Sequence, residues 1–330
     1  MGNQDRSWRE LSVLIAGCGS IGKRHARVLS RLGIKDLSVF DPRTSQVKQL
    51  TDQILHAKPV ISFESGLAAE PDCVWILTPP RLHVPLAIEA MNAGCHVFCE
   101  KPISDRLDGL DDLAQLVKDS GRKFMVGLCF RFHEGLLRAK QWLDEGEIGR
   151  LIAVRAMVGE PFDEIRPDYQ QVYTAKNFPW GALDLTHDID LAIWVAGQDV
   201  KQVYSVIGTY GDIEVDTPDL AQLLIEFEDR CTASVHLDFL QRLRRRQFEM
   251  IGTKGVIQVE FSKWEHCVLS LWNNTTRQWR RETMVTDRDD MFQDENLQFL
   301  KAVVCDGQIQ YGIEEACKSV RVVLDALQHS

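Results

Sequence analysis

Residues 95–102 end a β-like apolar run in Glu100, Lys101 and Pro102. Proline has no backbone N–H to donate to a neighbouring strand, so the Lys101–Pro102 pair is unfavourable within a sheet. It suits a site, because it would fix a lysine ammonium at the rim of a sheet. The alternative is a lysine that is solvated at the surface.

A second group of reactive side chains lies in GALDLTHDIDLAIW, residues 181–194. Helical spacing would put Asp184 on one face with His187 and Asp188. A neutral imidazole accepts a proton near neutral pH, so His187 is a candidate base, and Asp184 is a candidate group to orient it.

The sequence GCGSIG, residues 17–22, fits the GxGxxG pattern. Gly17 allows a tight turn, Gly19 lets the backbone approach a pyrophosphate, and Gly22 lets a helix pack against its strand. A helix that begins at Ser20 and Ile21 would offer N–H groups to phosphates. The alternative is a turn with a structural role only.

Asp41 follows at the end of the next predicted strand, close to the ~20-residue separation expected for a ribose-binding acid. A carboxylate there accepts bonds from two hydroxyls and repels a 2′-phosphate, which favours NAD over NADP. Arg43 lies two residues on and would soften that repulsion. We therefore expect NAD, with NADP as the alternative cofactor.

The elements that would position these residues follow two patterns. Up to residue 128, short apolar strands alternate with amphipathic helices, with a possible third strand at 60–63. This alternation predicts a doubly wound parallel sheet, a Rossmann domain, over 1–128. From 129 to 330 we expect an α+β domain with an open, mostly antiparallel sheet, whose predicted strands include 201–211, 220–228, 231–241, 246–252, 255–261 and 266–272. Helices are predicted over 290–302 and 313–328.

Composition excludes several classes of protein. The 330 residues carry 38 Lys and Arg against 48 Asp and Glu, a net charge of -10, which argues against nucleic-acid binding. No apolar run reaches the ~20 residues of a membrane span, and no signal pattern opens the sequence. Nine cysteines without a CxxC pair are expected to be reduced, so we expect a soluble cytoplasmic protein. A metal site at Cys95, His96 and Cys99 is disfavoured by strand alternation, and we expect no metal.

Three stretches together resemble the glucose–fructose oxidoreductase / inositol dehydrogenase / rhizopine-catabolism family (Gfo/Idh/MocA): GCGSIGKRHARVL, TPPRLHVPLAIEAMNAGCHVFCEKPIS and HDIDLAIWVAG. The resemblance spans nearly the whole chain. It implies an NAD(P)-dependent oxidoreductase that acts on a hydroxyl of a sugar, cyclitol or sugar derivative. It also implies a homodimer or homotetramer formed through the C-terminal sheet.

The resemblance assigns roles to individual residues. Lys101 would touch the substrate hydroxyl beside the nicotinamide, while Glu100 and Pro102, the latter after a cis bond, would hold the loop. Thr78, Pro79 and His83 match a stretch that lines the cofactor side, although a capping or core role is open for His83. His25 matches a family position that is more often structural. His187 would take the hydroxyl proton while hydride leaves carbon, and Lys101 would stabilise the alkoxide.

The chain departs from the family pattern in places. Asp184 and His187 form Asp-x-x-His instead of the commoner Asp-x-x-x-His. That variant, RPDYQQVYTAK at 166–176 and LDFLQRLRRRQFEMIG at 237–252 resemble a subset associated with nonulosonic-sugar gene clusters. Further candidate substrate contacts are Arg131, Arg166, Tyr169, Tyr173, which is also a candidate secondary proton relay, and Trp180, a candidate stacking surface.

Three alternatives stay open at this point. The arginines of QRLRRRQ, residues 241–247, suggest phosphate binding, but a solvated or subunit-facing surface is favoured over it. The whole protein could instead be a sensor that binds the dinucleotide and has lost its chemistry. It could also recycle NAD during a non-oxidative reaction on a sugar.

Overall fold

The computed structural model describes residues 7–166 and 168–328, which divide into two compact units. The first comprises the residues up to Cys129 together with Phe292–Cys317. The second comprises Phe130–Met291 and the residues from Lys318 onward. The first boundary lies beside the predicted one. The return of 292–317 to the first unit departs from the prediction that 129–330 form one domain.

The first unit is built on a six-stranded sheet in the order β3-β2-β1-β4-β5-β6, in which every pair is parallel. The predicted Rossmann sheet is thus confirmed. Its strands are β1 (Ser12–Ala16), β2 (Asp36–Phe40), β3 (Lys58–Pro59), β4 (Cys73–Ile76), β5 (His96–Glu100) and β6 (Phe124–Gly127). Strands β4 and β6 are buried throughout, as expected for a parallel sheet covered on both faces.

The helices between these strands follow the predicted alternation. They are α1 (Ser20–Arg31), α2 (Thr44–Gln53), α3 (Phe63–Leu67), α4 (His83–Asn92) and α5 (Leu110–Ser120). The strand predicted at 60–63 is wrong: β3 ends at Pro59, and Ser62 caps α3 by accepting from the backbone N–H of Ser65. Serine competes for the backbone with its side chain, which favours a cap over a strand.

The second unit is built on an eight-stranded sheet in the order β14-β13-β12-β11-β7-β10-β9-β8. Only β7 and β10 pair in parallel, so the predicted mostly antiparallel sheet is confirmed. The strands are β7 (Leu151–Gly159), β8 (Val200–Gly208), β9 (Leu220–Phe227), β10 (Thr232–Asp238), β11 (Arg245–Gly252), β12 (Gly255–Glu260), β13 (His266–Asn273) and β14 (Gln278–Val285). The edge strand β14 escaped prediction, because it is largely exposed on both faces and shows no alternation of burial.

The remaining helices are α6 (Glu134–Asp144), α7 (Phe162–Ile165), α8 (Tyr169–Val172), α9 (His187–Ala196), α10 (Asp290–Val304) and α11 (Ile313–Gln328). The continuous helical spacing expected over 181–194 is wrong. Gly181–Asp184 form a 3-10 helix, Leu185 leaves helical geometry with ψ 43°, and α9 begins at His187. None of the helices in the described part of the chain is both long enough and apolar enough to cross a membrane.

Candidate active site

The carboxyl edge of the first sheet gathers the predicted cofactor residues. The register pairs Ala16 with Ile76 and Ile76 with Cys99, so β1, β4 and β5 end side by side. Gly17, Thr78 and Lys101 therefore follow three neighbouring strands at one edge. With strands ~4.8 Å apart, Lys101 lies about 10 Å across the edge from the glycine turn. Ligands of open parallel sheets bind at this edge.

The glycine turn has the geometry of a phosphate cradle. Gly17 adopts φ +106°, and a Cβ added there would lie 2.4 Å from the carbonyl oxygen of Leu77. A Cβ on Gly22 would lie 2.0 Å from the oxygen of Gly17, so the helix packs on the turn as closely as glycine allows. Above Gly19 the nearest atom would be 4.0 Å away, which leaves room for a ligand.

Two polar features of this edge also fit a dinucleotide. Helix α1 begins at Ser20 and Ile21 with no side-chain cap at Gly19, so its positive end is available to an anion. The hydroxyl of Thr78 is buried and has no hydrogen-bond partner among the described residues. An orphaned buried hydroxyl calls for a ligand or water, and the cofactor edge supplies that place.

Asp41 ends the second strand as a buried carboxylate with 6% exposure. Its Oδ2 accepts the backbone N–H of Cys18 at 2.9 Å, and Arg43 binds Oδ1 through Nε at 3.1 Å. Burial acts to raise the pKa of Asp41, but the bonds from Arg43 and Cys18 outweigh it and leave the pKa lowered. Arg43 therefore neutralises Asp41 directly, which strengthens the expectation that it softens discrimination against NADP.

His83 is a brace between two loops. It is buried, and its ring nitrogens lie 2.8 Å from the oxygen of Pro102 and 2.7 Å from that of Thr78. Burial lowers its pKa, although the two carbonyl partners act in the opposite direction. These contacts favour the core role for His83 that the sequence left open.

A chain of polar contacts ends at Lys101. The indole N–H of Trp75 donates to Oδ1 of Asn296 at 2.8 Å, which identifies the amide nitrogen as the group 3.0 Å from Nδ1 of His25. The amide oxygen lies 3.2 Å from the same Nδ1, and Nε2 of His25 lies 3.3 Å from Oε1 of Glu100. Glu100 in turn accepts the backbone N–H of Lys101 at 2.9 Å. Glu100 is thus bonded to the backbone at the start of the loop that contains Lys101 and Pro102.

Lys101 itself is half-buried and is followed by the expected cis peptide bond to Pro102. Two residues on α10 belong to the same polar cluster. Asn296 belongs to the chain described above, and Glu295 is fully buried with no hydrogen-bond partner for either carboxyl oxygen among the described residues. Burial, with a further effect of Glu100, raises the pKa of Glu295 well above its usual value.

In the second unit, His187 is the first residue of α9 and is half-buried. The ring of Phe130 meets the imidazole edge to face, with centroids 4.8 Å apart. Asp184 is buried at the end of the preceding 3-10 helix. The break at Leu185 means that the two side chains do not share a helical face, so the orienting role of Asp184 rests on the resemblance alone.

Two candidate substrate residues are enclosed by protein. Arg131 is 1% exposed, and its guanidinium binds both oxygens of Asp190, at 2.9 and 2.7 Å. Trp180 is 3% exposed. The expected substrate contact of Arg131 and the expected stacking face of Trp180 are therefore corrected, because burial leaves Arg131 as an interior ion pair and Trp180 as core.

Three other candidates form a cluster around Phe162. Tyr173 lies 4.5 Å from its ring, Tyr169 lies 6.2 Å from it, and the guanidinium of Arg166 lies 5.3 Å above Tyr173. The pKa of Tyr173 is raised by burial; Arg166 acts against this, while Glu160 and Asp184 add to it. Burial therefore favours the neutral phenol of Tyr173 over its phenolate.

The arginine run QRLRRRQ also needs correction. Arg245 is exposed, but Arg246 is 4% exposed and binds Asp188. Arg244 binds Glu160 at 3.2 Å and lies 4.1 Å above the ring of Trp264. The favoured solvated or subunit-facing surface is thus wrong for Arg244 and Arg246, whose charges are compensated inside the unit.

Sequence reasoning missed Arg246 and the Glu295–Asn296 pair, although each leaves a signal. Arg246 alternates with Phe248 and Met250, so strand parity places it on the buried face. Glu295 and Asn296 fall between Phe292 and Phe299 at helical spacing, on the apolar face of α10. In both cases the signal was a polar side chain at a position where the strand or helix pattern predicts a buried apolar one. The described residues contain no group of three or more His, Cys, Asp or Glu side chains that could hold a metal ion.

Comparison with known proteins gives matches along most of the chain. Residues 11–128 match the oxidoreductase family with an NAD-binding Rossmann fold, and residues 136–258 match the GFO/IDH/MocA C-terminal domain. An uncharacterized oxidoreductase of Bacillus subtilis, YrbE, is 26% identical over 89% of this chain and 87% of its own length. The myo-inositol 2-dehydrogenase of Thermotoga maritima is 25% identical over 75% of this chain and 74% of its own.

Solved structures share the fold at lower identity. A levoglucosan dehydrogenase in complex with NADH and levoglucosan superposes with a TM-score of 0.86 at 20% identity, covering 97% of this chain and 96% of its own. The two family matches together cover well over half of the chain, and both belong to one family. This chain is therefore a member of the Gfo/Idh/MocA family of oxidoreductases, with an NAD-binding Rossmann domain.

Proposed function

We propose that this protein is an NAD-dependent dehydrogenase that oxidises a hydroxyl carbon of a sugar, cyclitol or sugar derivative, or reduces the corresponding ketone. The observation that carries the proposal is the edge of the first sheet. There the glycine cradle, Asp41 and Lys101 follow the ends of neighbouring parallel strands, in the order that a dinucleotide and its reacting end require.

In the proposed mechanism Lys101 stabilises the alkoxide that develops on the substrate oxygen, and His187 takes the hydroxyl proton. Bound NAD supplies the acceptor for the hydride. Proton transfer of this kind contributes about 10²–10⁴-fold in rate. Asp184 orients His187 or a neighbouring hydroxyl, while Tyr173, a neutral phenol, donates to a substrate oxygen. Arg166 and Tyr169 lie beside Tyr173 and complete the proposed contacts.

The identity of the substrate is a finer proposal. The Asp-x-x-His variant and the stretches 166–176 and 237–252 favour a sugar derivative related to nonulosonic sugars. Relatives of this chain include an inositol dehydrogenase and a xylose dehydrogenase, so cyclitols and free sugars belong in the same test.

We also propose a homodimer or homotetramer formed through the outer face of the eight-stranded sheet. One continuous row of that face runs from Tyr204 through Leu224 and Ser234 to Arg155 and Glu249. Tyr204 and Leu224 are 56% and 50% exposed, which is unusual for large apolar side chains on regular strands. Light scattering on Leu224→Glu against the parent protein tests this assembly.

The test of the activity is reduction of NAD and NADP by the purified protein over cyclitols, free sugars, sugar phosphates and nucleotide sugars. Lys101→Ala and His187→Ala are expected to lose at least about 100-fold in kcat. Lys35→Ala, which removes an exposed lysine of the first unit, is the matched control. Full turnover in the Lys101 and His187 variants would refute the mechanism.

Silence across the panel would also be informative. NAD(H) that is released only on denaturation would point to cofactor recycling in a non-oxidative reaction. Exchangeable NAD(H) with no turnover would point to a sensor.

A further inference from the structure

Two contacts hold the proposed base His187, and both lead to one arginine. The first is the edge-to-face contact of the imidazole with Phe130. The second is through the chain, because the next residue, Asp188, is fully buried and binds Arg246. Both contacts lie within the second unit.

Arg246 touches each of these supports directly. Its Cζ lies 3.9 Å from the centroid of the Phe130 ring. Its Nε donates to Oδ1 of Asp188 at 3.3 Å, and its Nη2 makes a closer bond to Oδ2. A planar guanidinium is suited to both tasks, since it stacks on an aromatic face and binds a carboxylate through two nitrogens.

The remaining charged and titratable groups around Arg246 do not replace it. His133 packs against Phe130 and Phe261, and its pKa is lowered to about 4 by burial and by Arg246, so it is neutral. Arg244 precedes Arg246 by two residues and is paired with Glu160. The backbone N–H of Arg246 donates to the hydroxyl of Ser262. Arg246 is therefore the cation bonded to Asp188 in the described residues.

The charge of Asp188 matters because it stands next to the base. An uncompensated buried carboxylate beside an imidazole favours the protonated ring, and a protonated ring cannot accept a proton from substrate. The N-terminus of the ten-residue helix α9 acts in the opposite direction, since its dipole disfavours a cation there. With Arg246 in place the carboxylate is neutralised and the helix effect is preserved.

We propose that Arg246 is a positioning residue for His187: it fixes the imidazole through Phe130 and Asp188 and keeps it neutral by compensating Asp188. This inference rests on the proposed function of His187 as the base. It adds a residue 59 positions away along the chain that touches neither substrate nor cofactor.

The test compares Arg246→Gln, Arg246→Lys and His187→Gln with the parent, using NAD and whichever substrate of the panel is turned over. Arg246→Gln is expected to lower kcat by about 100-fold with little change in KM, because misplacement by about 1 Å is sufficient for such a loss. In the pH profile of kcat for this variant, the low-pH limb is expected to move to higher pH. Arg246→Lys keeps the positive charge and loses the two-nitrogen contact with Asp188. Compared with Arg246→Gln, it should therefore bring the low-pH limb closer to its position in the parent, while kcat recovers less.

Arg245→Gln is the matched control, because this neighbour is on the same strand and exposed. It is expected to leave kcat and the pH limb unchanged. A second variant, Asp188→Asn combined with Arg246→Gln, removes both charges and avoids a buried unpaired carboxylate. It should return the pH limb to the parent position while kcat stays low. This double variant also decides the matter if Arg246→Gln fails to fold.

The outcomes separate the inference from the function on which it rests. If His187→Gln loses turnover while Arg246→Gln keeps the kcat and the pH limb of the parent, the inference about Arg246 is wrong and the base stands. If His187→Gln keeps turnover, the proposed base itself is wrong. A pH limb that remains shifted in the double variant would overturn the electrostatic part. Circular dichroism and urea denaturation of each variant report on its folding.

Discussion

Each unit contains one group of buried carboxyl side chains that interact in a contrasting way. In the first unit the His25 cluster, comprising His25, Trp75, Glu100, Glu295 and Asn296, contains two acids and no arginine. In the second unit two arginine clamps, Arg131–Asp190 and Arg246–Asp188, each pair one buried aspartate with a buried guanidinium. The residues of each clamp stay charged, so the removal of either residue leaves a buried charge without its partner. The cluster lowers its charge by holding Glu295 protonated, which makes it sensitive to pH.

The largest effect is expected from breaking a clamp. Arg131→Met leaves the buried Asp190 without its guanidinium and should lower the free energy of unfolding by about 3–5 kcal/mol. Urea denaturation of the parent and the variant measures this. The control is Lys48→Met, which breaks an exposed ion pair with Asp52 and should cost less than about 1 kcal/mol. Equal losses in the two variants would erase the distinction between a clamp and a surface pair.

The next effect comes from the His25 cluster and depends on pH. Unfolded Glu295 titrates near its ordinary pKa, and folding raises that pKa. Between these two values folding takes up a proton. The contribution of Glu295 to the free energy of unfolding is therefore greatest at low pH, and it falls by about 1.4 kcal/mol per pH unit as the pH rises through this range. Glu295→Gln removes this loss, and its stability relative to the parent should increase with pH.

Urea denaturation at about pH 5, 6.5 and 8 checks this expectation. Glu89→Gln, on the exposed face of α4, is the control and should show no such trend. A constant difference between Glu295→Gln and the parent at all three pH values would mean that Glu295 is not held protonated by the fold.

The smallest effect concerns Asp41, the exception in the first unit, which has an arginine and a lowered pKa. Its stabilising contribution is present above its ordinary pKa and is lost as the pH falls through the lowered folded value. Arg43→Ala should weaken NADPH binding about threefold to tenfold, because the 2′-phosphate then faces an uncompensated carboxylate. NADH should be affected less. Fluorescence titration with both dinucleotides measures the ratio, and a fall in NADH affinity equal to that of NADPH would contradict the explanation.

The extent to which sequence predicts these features depends on the separation of the partners. The glycine cradle, Asp41 and the Glu100–Lys101 loop were predictable because their chemistry lies in short contiguous stretches. The Arg246–Asp188 clamp joins residues 58 apart, and His25 meets Asn296 across 271 positions. A motif cannot show such a pairing. Strand parity and helical spacing indicate that one side chain is buried, but only the fold shows which partner compensates it.

The same limit explains the corrected site residues. Arg131 lies in a stretch where the family resemblance suggested a substrate contact, yet Asp190 occupies its whole fork. The helical spacing that joined Asp184 to His187 failed because a single residue, Leu185, leaves helical geometry between them. Local pattern places a residue near a site, and tertiary contacts then decide whether it remains available.

The return of residues 292–317 to the first unit affects how this protein can be divided. Asn296 bonds both Trp75 and His25, and Phe299 packs on Trp75 and Phe98, so the nucleotide-binding unit takes part of its interior from a segment distant along the chain. A fragment truncated after Cys129 would lack these side chains. Recombination that exchanges the first 129 codons between relatives must therefore preserve the match with a distant segment, and an isolated nucleotide-binding module would have to be made as a fusion of both stretches.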